Sequence, residues 1–232
     1  MFKKNFLVLV IIAFFVPISL LSQSIQENQI FLKGTVTDKY TGKPVYCDIE
    51  IRPEGGTKFK IFSDPVSGHY EQLIKGGTSY EFIFYRYNVL RQIIKVDYPT
   101  FERYREEEAN YQVITLTPGV TAYEVEIFEP NSATIKESAK QFFEDFKLQL
   151  RFHRTVTWDL LVVGTELVKG KTVINKGLTQ KRVDALTTYL ENYKAYLKKL
   201  NIKASDYIKD NGNSLIIKVN QIEPPLEEQF TK

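Results

Sequence analysis

The sequence predicts an α+β chain, with an antiparallel β-sandwich in its first half and alternating strands and helices in its second. Three observations carry this. Short aromatic and β-branched runs recur up to Pro118, separated by glycine turns, the pattern of an all-β sandwich. Beyond residue 130, two stretches place apolar residues at helical spacing. The periodicity switches at Thr117-Pro118-Gly119, where a linker is expected.

The chain opens with Lys3 and Lys4 before an apolar run over residues 6–16, then Pro17 and Ser22-Gln23-Ser24. A basic region, an apolar region and small residues at its end make a secretory signal peptide. The uncharged stretch ends by Leu21, short of the ~20 residues a bilayer span needs. Residues 1–22 are therefore expected to be removed, with no membrane span left. No cysteine stands near that point, so no lipid anchor is expected.

Residues 26–118 form the expected sandwich. Its strands are read at 30–36, 45–52, 58–62, 69–74, 80–85 and 90–96, divided by Thr41-Gly42, Gly55-Gly56, Ser67-Gly68 and Gly76-Gly77. Cys47, the only cysteine, falls on the inward face of an alternating strand and reads as a small core residue. Only the charged stretch 103–110 departs from the strand-like pattern before residue 130.

Residues 120–219 form the second expected unit. A strand at 123–128 leads to Thr134-Ile135-Lys136-Glu137, a capping box that should open a helix. Ile135, Ala139, Phe142, Phe146 and Leu150 continue it at helical spacing. Residues 156–163 read as a strand buried on both faces. A second helix is expected from Thr179, because Val183, Leu186, Leu190, Tyr193, Leu197 and Leu200 recur every three or four residues. A last strand, 215–219, follows Asn211-Gly212-Asn213. Residues 220–232 are an acidic, proline-containing tail, either disordered or a docking peptide.

Composition narrows the function. The formal charge is +3 and two of those charges leave with the signal, so nothing suggests a nucleic-acid partner. No nucleophile motif, metal-ligand spacing or phosphate loop appears. The two histidines, His69 and His153, read as solvated. An enzyme is not expected; nor is a catalytic residue, a metal or a cofactor.

Two resemblances sharpen this. Gly34-Thr35-Val36-Thr37-Asp38, Thr41-Gly42-Lys43-Pro44, Ser67-Gly68-His69-Tyr70 and Lys75-Gly76-Gly77 with Tyr80 resemble the carboxypeptidase regulatory-like (transthyretin-type) β-sandwich. That family implies a fold and a docking or spacer role. In the second unit, three stretches are similar to the OmpA-like C-terminal domain: Phe128-Glu129-Pro130-Asn131-Ser132-Ala133-Thr134-Ile135, Val162-Val163-Gly164-Thr165-Glu166, and Asn175 through Arg182-Val183. This family binds peptidoglycan, clamping the diaminopimelate of the stem peptide between an acid and an arginine. Carried over, Glu166 meets the ammonium and Arg182 the carboxylate, from a solvent-facing helix start. Asn175 orders the loop between them, and Thr165 and Leu178 belong to the same motifs. Lys181 and Arg182 in a first helical turn are consistent with an expected anion. Glu166 stands where the family has aspartate.

The resemblance implies a periplasmic adaptor associated with the cell wall or outer membrane. It would hold peptidoglycan with its second unit and an outer-membrane, secretion or motility protein with its first. The alternative is an OmpA-like scaffold that has lost its ligand and only mediates protein contacts.

Overall fold

The computed structural model describes residues 28–206 and 214–226. The expected signal segment, the Asn211-Gly212-Asn213 turn and the end of the tail lie outside the described residues. At the coarse level the α+β class holds, with strands making up 47% and helices 19% of the described residues.

The first half contains β1 (Gln29–Asp38), β2 (Asp48–Pro53), β3 (Phe59–Phe62), β4 (His69–Lys75), β5 (Thr78–Arg86), β6 (Val89–Tyr98), β7 (Arg105–Glu108) and β8 (Tyr111–Val113). One sheet runs β4-β1-β7, with β8 pairing the far part of β1, and the other runs β3-β2-β5-β6. Strict alternation along β1 buries Ile30, Leu32 and Val36. They share one core with Ile49, Ile51, Phe82 and Phe84 of the other sheet. Cys47 is fully buried there as expected, and burial pushes its thiol up to about 11.

Asp38 ends β1 and organises the turn after it. One carboxylate oxygen accepts from the backbone N–H groups of Tyr40 and Thr41 and from the Thr41 hydroxyl. The other accepts from the Thr115 N–H at 2.9 Å. Burial pushes this carboxyl up, but the donors prevail and hold it below its ordinary value. The charged stretch 103–110 contributes β7, which runs parallel to β1 with Glu106 paired to Lys33 at 2.6 Å. A short edge strand whose outward side chains meet ions and water shows no apolar period.

The second half contains β9 (Thr121–Glu126), α1 (Ala139–Phe152), β10 (Val156–Val162), β11 (Thr165–Val168), β12 (Lys171–Ile174), α2 (Lys176–Leu190), β13 (Leu200–Ala204) and β14 (Ser214–Ile222). The mixed sheet runs β13-β10-β14-β9, with β10 and β13 parallel, and β11–β12 is a separate hairpin. No described helix is long and apolar enough to cross a membrane.

Several expectations are corrected here. The capping box does not form. Ile135 bridges Phe128, and the backbone of Glu129 and Lys136 is tied to Thr134 and Ile127, so residues 134–136 are extended and α1 begins at Ala139. The helix then buries Phe143 in place of Phe142. β10 alternates between buried and half-buried, because α1 and α2 do not cover both faces; Asp159 on its open side pairs with Lys203. α2 opens at Lys176 and stops at Leu190. Two 3₁₀ turns and β13 follow, although Tyr193 still packs into the same core.

Leu90 and Leu116 of the first half join the core of the second, alongside Trp158, Phe146 and Leu190. The carboxyl end of α1 makes the junction. Gln149 donates through Nε2 to the Arg91 carbonyl at 2.9 Å, and the Arg91 N–H donates to His153 Nε2 at 3.2 Å. His153 Nδ1 lies 3.3 Å from the Tyr87 carbonyl. Phe152 meets the edge of Tyr85, and the Tyr40 hydroxyl donates to the Thr121 carbonyl. His153 was expected in solvent, yet it is buried at 1% exposure. Arg151 and Arg154 face water on either side of it, while the imidazole turns inward onto the β5–β6 hairpin.

Candidate functional site

The site is built where α2 starts against the end of β10. Asn175 is the N-cap, and its Oδ1 accepts the Leu178 N–H at 2.8 Å. Its backbone carbonyl accepts both the N–H and the hydroxyl of Thr179. Gly164 locks the same turn to the strand. Its N–H donates to Thr179 Oγ1 at 2.9 Å, and its carbonyl accepts the Asn175 N–H at 2.9 Å. A side chain at position 164 would put Cβ 2.7 Å from the Thr179 nitrogen, so only glycine permits this approach.

The stretch between Glu166 and Asn175 is the β11–β12 hairpin. Its two-residue turn, Lys169-Gly170, has positive φ at both positions, the backbone twist that suits a tight hairpin. The hairpin carries Glu166 to the surface, where Oε2 accepts from Asn175 Nδ2 at 2.9 Å.

A depression of about 520 Å³ opens here, lined by Asn131, Glu166, Asn175, Gly177, Leu178 and Lys181. Three of the residues singled out from sequence, Glu166, Asn175 and Leu178, are thus brought together. Thr165 is buried behind them, paired with Ile174. Asn131, Gly177 and Lys181 were not selected from the sequence; Lys181 was visible only as a cation near a helix start.

Arg182 is the main correction. It was expected at the surface, but it is fully buried. Its guanidinium donates through Nε to the Ser132 carbonyl at 2.8 Å, through Nη1 to Val163 at 2.9 Å and through Nη2 to Glu129 at 3.1 Å, and it stacks on Phe128 at 5.0 Å. Burial lowers its pKa from the ordinary value. Because α2 opens at Lys176, Lys181 and Arg182 lie in its second turn, and the cation of the first turn is Lys176. The carbonyls on either side of Asn131, a residue with φ of 51°, are fixed by Arg182. Arg182 thereby positions the Asn131 rim of the depression from beneath.

The electrostatics follow from this arrangement. Asn175 satisfies the donors of Leu178 and Thr179, which leaves the leading N–H groups of Lys176 and Gly177 beyond the helix's own acceptors. No acidic residue stands in the first turn, so the helix itself brings no anion to its positive end. Glu166 supplies the negative charge of the depression, bonded to the N-cap side chain of Asn175. Among the described residues no group of His, Cys, Asp and Glu could hold a metal ion. Asn175→Ala is expected to cost about 1 kcal/mol of stability, read as a lower denaturant midpoint with an unchanged slope. An unshifted midpoint would show that the cap does not act in solution.

No family model matches this chain, and no curated protein does. Among solved structures, a candidate carbohydrate-binding protein from Bacteroides uniformis is similar over 44% of this chain and 48% of its own length, at 17% identity and a TM-score of 0.30. Likeness at that level fixes neither fold nor ligand.

Proposed function

We propose that this chain is a periplasmic, non-enzymatic adaptor. Its second half, read as an OmpA-like domain, takes the diaminopimelate of the peptidoglycan stem peptide. Its first half, read as a carboxypeptidase regulatory-like sandwich, docks an outer-membrane, secretion or motility protein. No cofactor enters this reading.

The observation that supports it is the presence of opposite charges in the lining of one depression. Glu166 and Lys181 both line it, at the start of α2, where the leading N–H groups lie. A carbon bearing both an ammonium and a carboxylate suits such a site, with Glu166 on the ammonium and the helix start on the carboxylate. The role that the family gives to its arginine passes to the helix start and Lys181, because Arg182 is held by three backbone carbonyls. That same engagement favours the second reading, a scaffold that has lost its ligand.

Binding isotherms with purified diaminopimelate-containing sacculi or muropeptides separate the two. Glu166→Gln is expected to weaken binding about tenfold, equivalent to ~1.4 kcal/mol. Lys181→Glu should weaken it further by repelling the carboxylate. Neither side chain lies in a core, so both variants should melt with the wild type. Wild-type protein that binds no better than Lys181→Glu would leave the scaffold.

A further inference from the structure

A second surface, remote from the depression, has a chemistry that nothing so far uses. At the carboxyl end of α1 a groove of about 370 Å³ is lined by Arg91, Leu148, Arg151, Phe152 and Arg154. Lys199 joins it by donating to the Arg154 carbonyl, and burial together with Arg154 lowers the Lys199 pKa. Among the described residues none of these four cations is paired with a carboxylate. Leu148 and Phe152 lie among them at 52% and 42% exposure. A cation in the last turn of a helix is ordinary, and that accounts for Arg151. Arg91, which arrives from β6, lies 6.0 Å from the ring of Phe152, whose other contact is the edge-on Tyr85. Neither contact supplies a carboxylate to the arginines, and Leu148 is left half in water beside them.

The end of the chain passes this groove. The Glu223 N–H donates to the Thr155 carbonyl at 3.1 Å, one residue from Arg154, where β14 finishes beside β10. The sequence then reads Glu223-Pro224-Pro225-Leu226-Glu227-Glu228-Gln229-Phe230-Thr231-Lys232. Three carboxylates and two large apolar residues are the complement of three arginines, a lysine, Leu148 and Phe152. Leu226 is itself 70% exposed. Seven residues from Glu223 to Phe230 reach at most ~25 Å, ample for a groove that begins next to the anchor point. Tethering also makes the encounter intramolecular, at an effective concentration in the millimolar range for a short linker.

We propose that the carboxyl-terminal segment 226–232 docks on the Arg91–Arg151–Arg154 groove, with Glu227 and Glu228 on the arginines and Phe230 against Leu148 and Phe152. The contact covers this basic face.

The test uses the full mature chain with a nitroxide at Thr231→Cys; Cys47 is fully buried and escapes the label. The amide signals of Leu148, Phe152 and Arg154 are expected to be lost to paramagnetic broadening at low salt. They should return when Glu227→Lys and Glu228→Lys are introduced together. They should also return at about 1 M salt, where the Debye length falls to ~3 Å. Broadening that is absent, or that survives the charge reversal, overturns the proposal. So does broadening of an isotope-labelled, nitroxide-free chain by a nitroxide-bearing one, because a second copy would then be the occupant. A circular dichroism melt of each variant that matches the wild type keeps a failure to fold from imitating any of these results.

Discussion

Arg182→Ala is expected to lower the thermal midpoint by roughly 10 °C and to reduce binding only as a consequence. The side chain is fully buried and serves three carbonyls at once, those of Glu129, Ser132 and Val163. A buried acceptor that loses its donor costs about 1–3 kcal/mol, and the emptied volume beside Phe128 adds a cavity. A total near 3–5 kcal/mol is in the range for breaking a buried charged network. At about 2–4 °C per kcal/mol for a chain of this size, that gives the stated shift. Arg182→Lys should recover little, because an ammonium cannot reach three divergent acceptors as a planar fork does. Circular dichroism melts of the two variants decide the matter. An unshifted midpoint with lost sacculus binding would restore Arg182 to the surface role that the family resemblance implies.

The second large effect is acid sensitivity at the junction. The Arg91 N–H donates to His153 Nε2, so that nitrogen carries the lone pair, and Nδ1–H faces the Tyr87 carbonyl. Burial first, and then the Arg91 charge, pull its pKa down from 6.5 to about 4, against the Tyr87 carbonyl, which favours the cation. The unfolded chain therefore binds a proton at higher pH than the folded one. The stability from neutral His153 is fully present above about pH 6.5 and is lost as pH falls toward 4. Integrated over that window it amounts to about 3 kcal/mol. Carboxylates titrate in the same range, so the measurement is a difference. The gap in unfolding free energy between wild type and His153→Gln is expected to narrow by about this amount between pH 7 and pH 4. A gap independent of pH would mean that the imidazole is open to water.

The sequence made some of this legible and hid the rest for identifiable reasons. Strands β1 to β4 follow from alternation and glycine turns, because each turns one face to the first core. β5 and β6 follow from their aromatic and β-branched runs, although Phe82, Ile83 and Phe84 are buried in succession and Val89 and Leu90 enter different cores. Asn175 stands out through the family resemblance as a loop residue; its role as the cap of α2 was missed because the apolar period starts only at Val183, past the helix start at Lys176. The end of α2 was hidden because Tyr193 and Leu197 keep helical spacing through two 3₁₀ turns and still pack inward. The hairpin β11–β12 was hidden because four-residue strands give too short a pattern to read. Burial of Arg182 and His153 has no local signature at all. Each is decided by carbonyls contributed from segments 19 to 66 residues away, which only the folded chain brings near.

The junction at the end of α1 also has a mechanical meaning. Gln149, His153 and Phe152 grip the β5–β6 hairpin at neighbouring points, while Tyr40 holds Thr121 some way off. Bonds set side by side share a pull between the two halves and must break together, whereas bonds in series would open one at a time. A tug on β6 is therefore delivered to α1 and its core, and the Thr117-Pro118-Gly119 connection need not bear it alone.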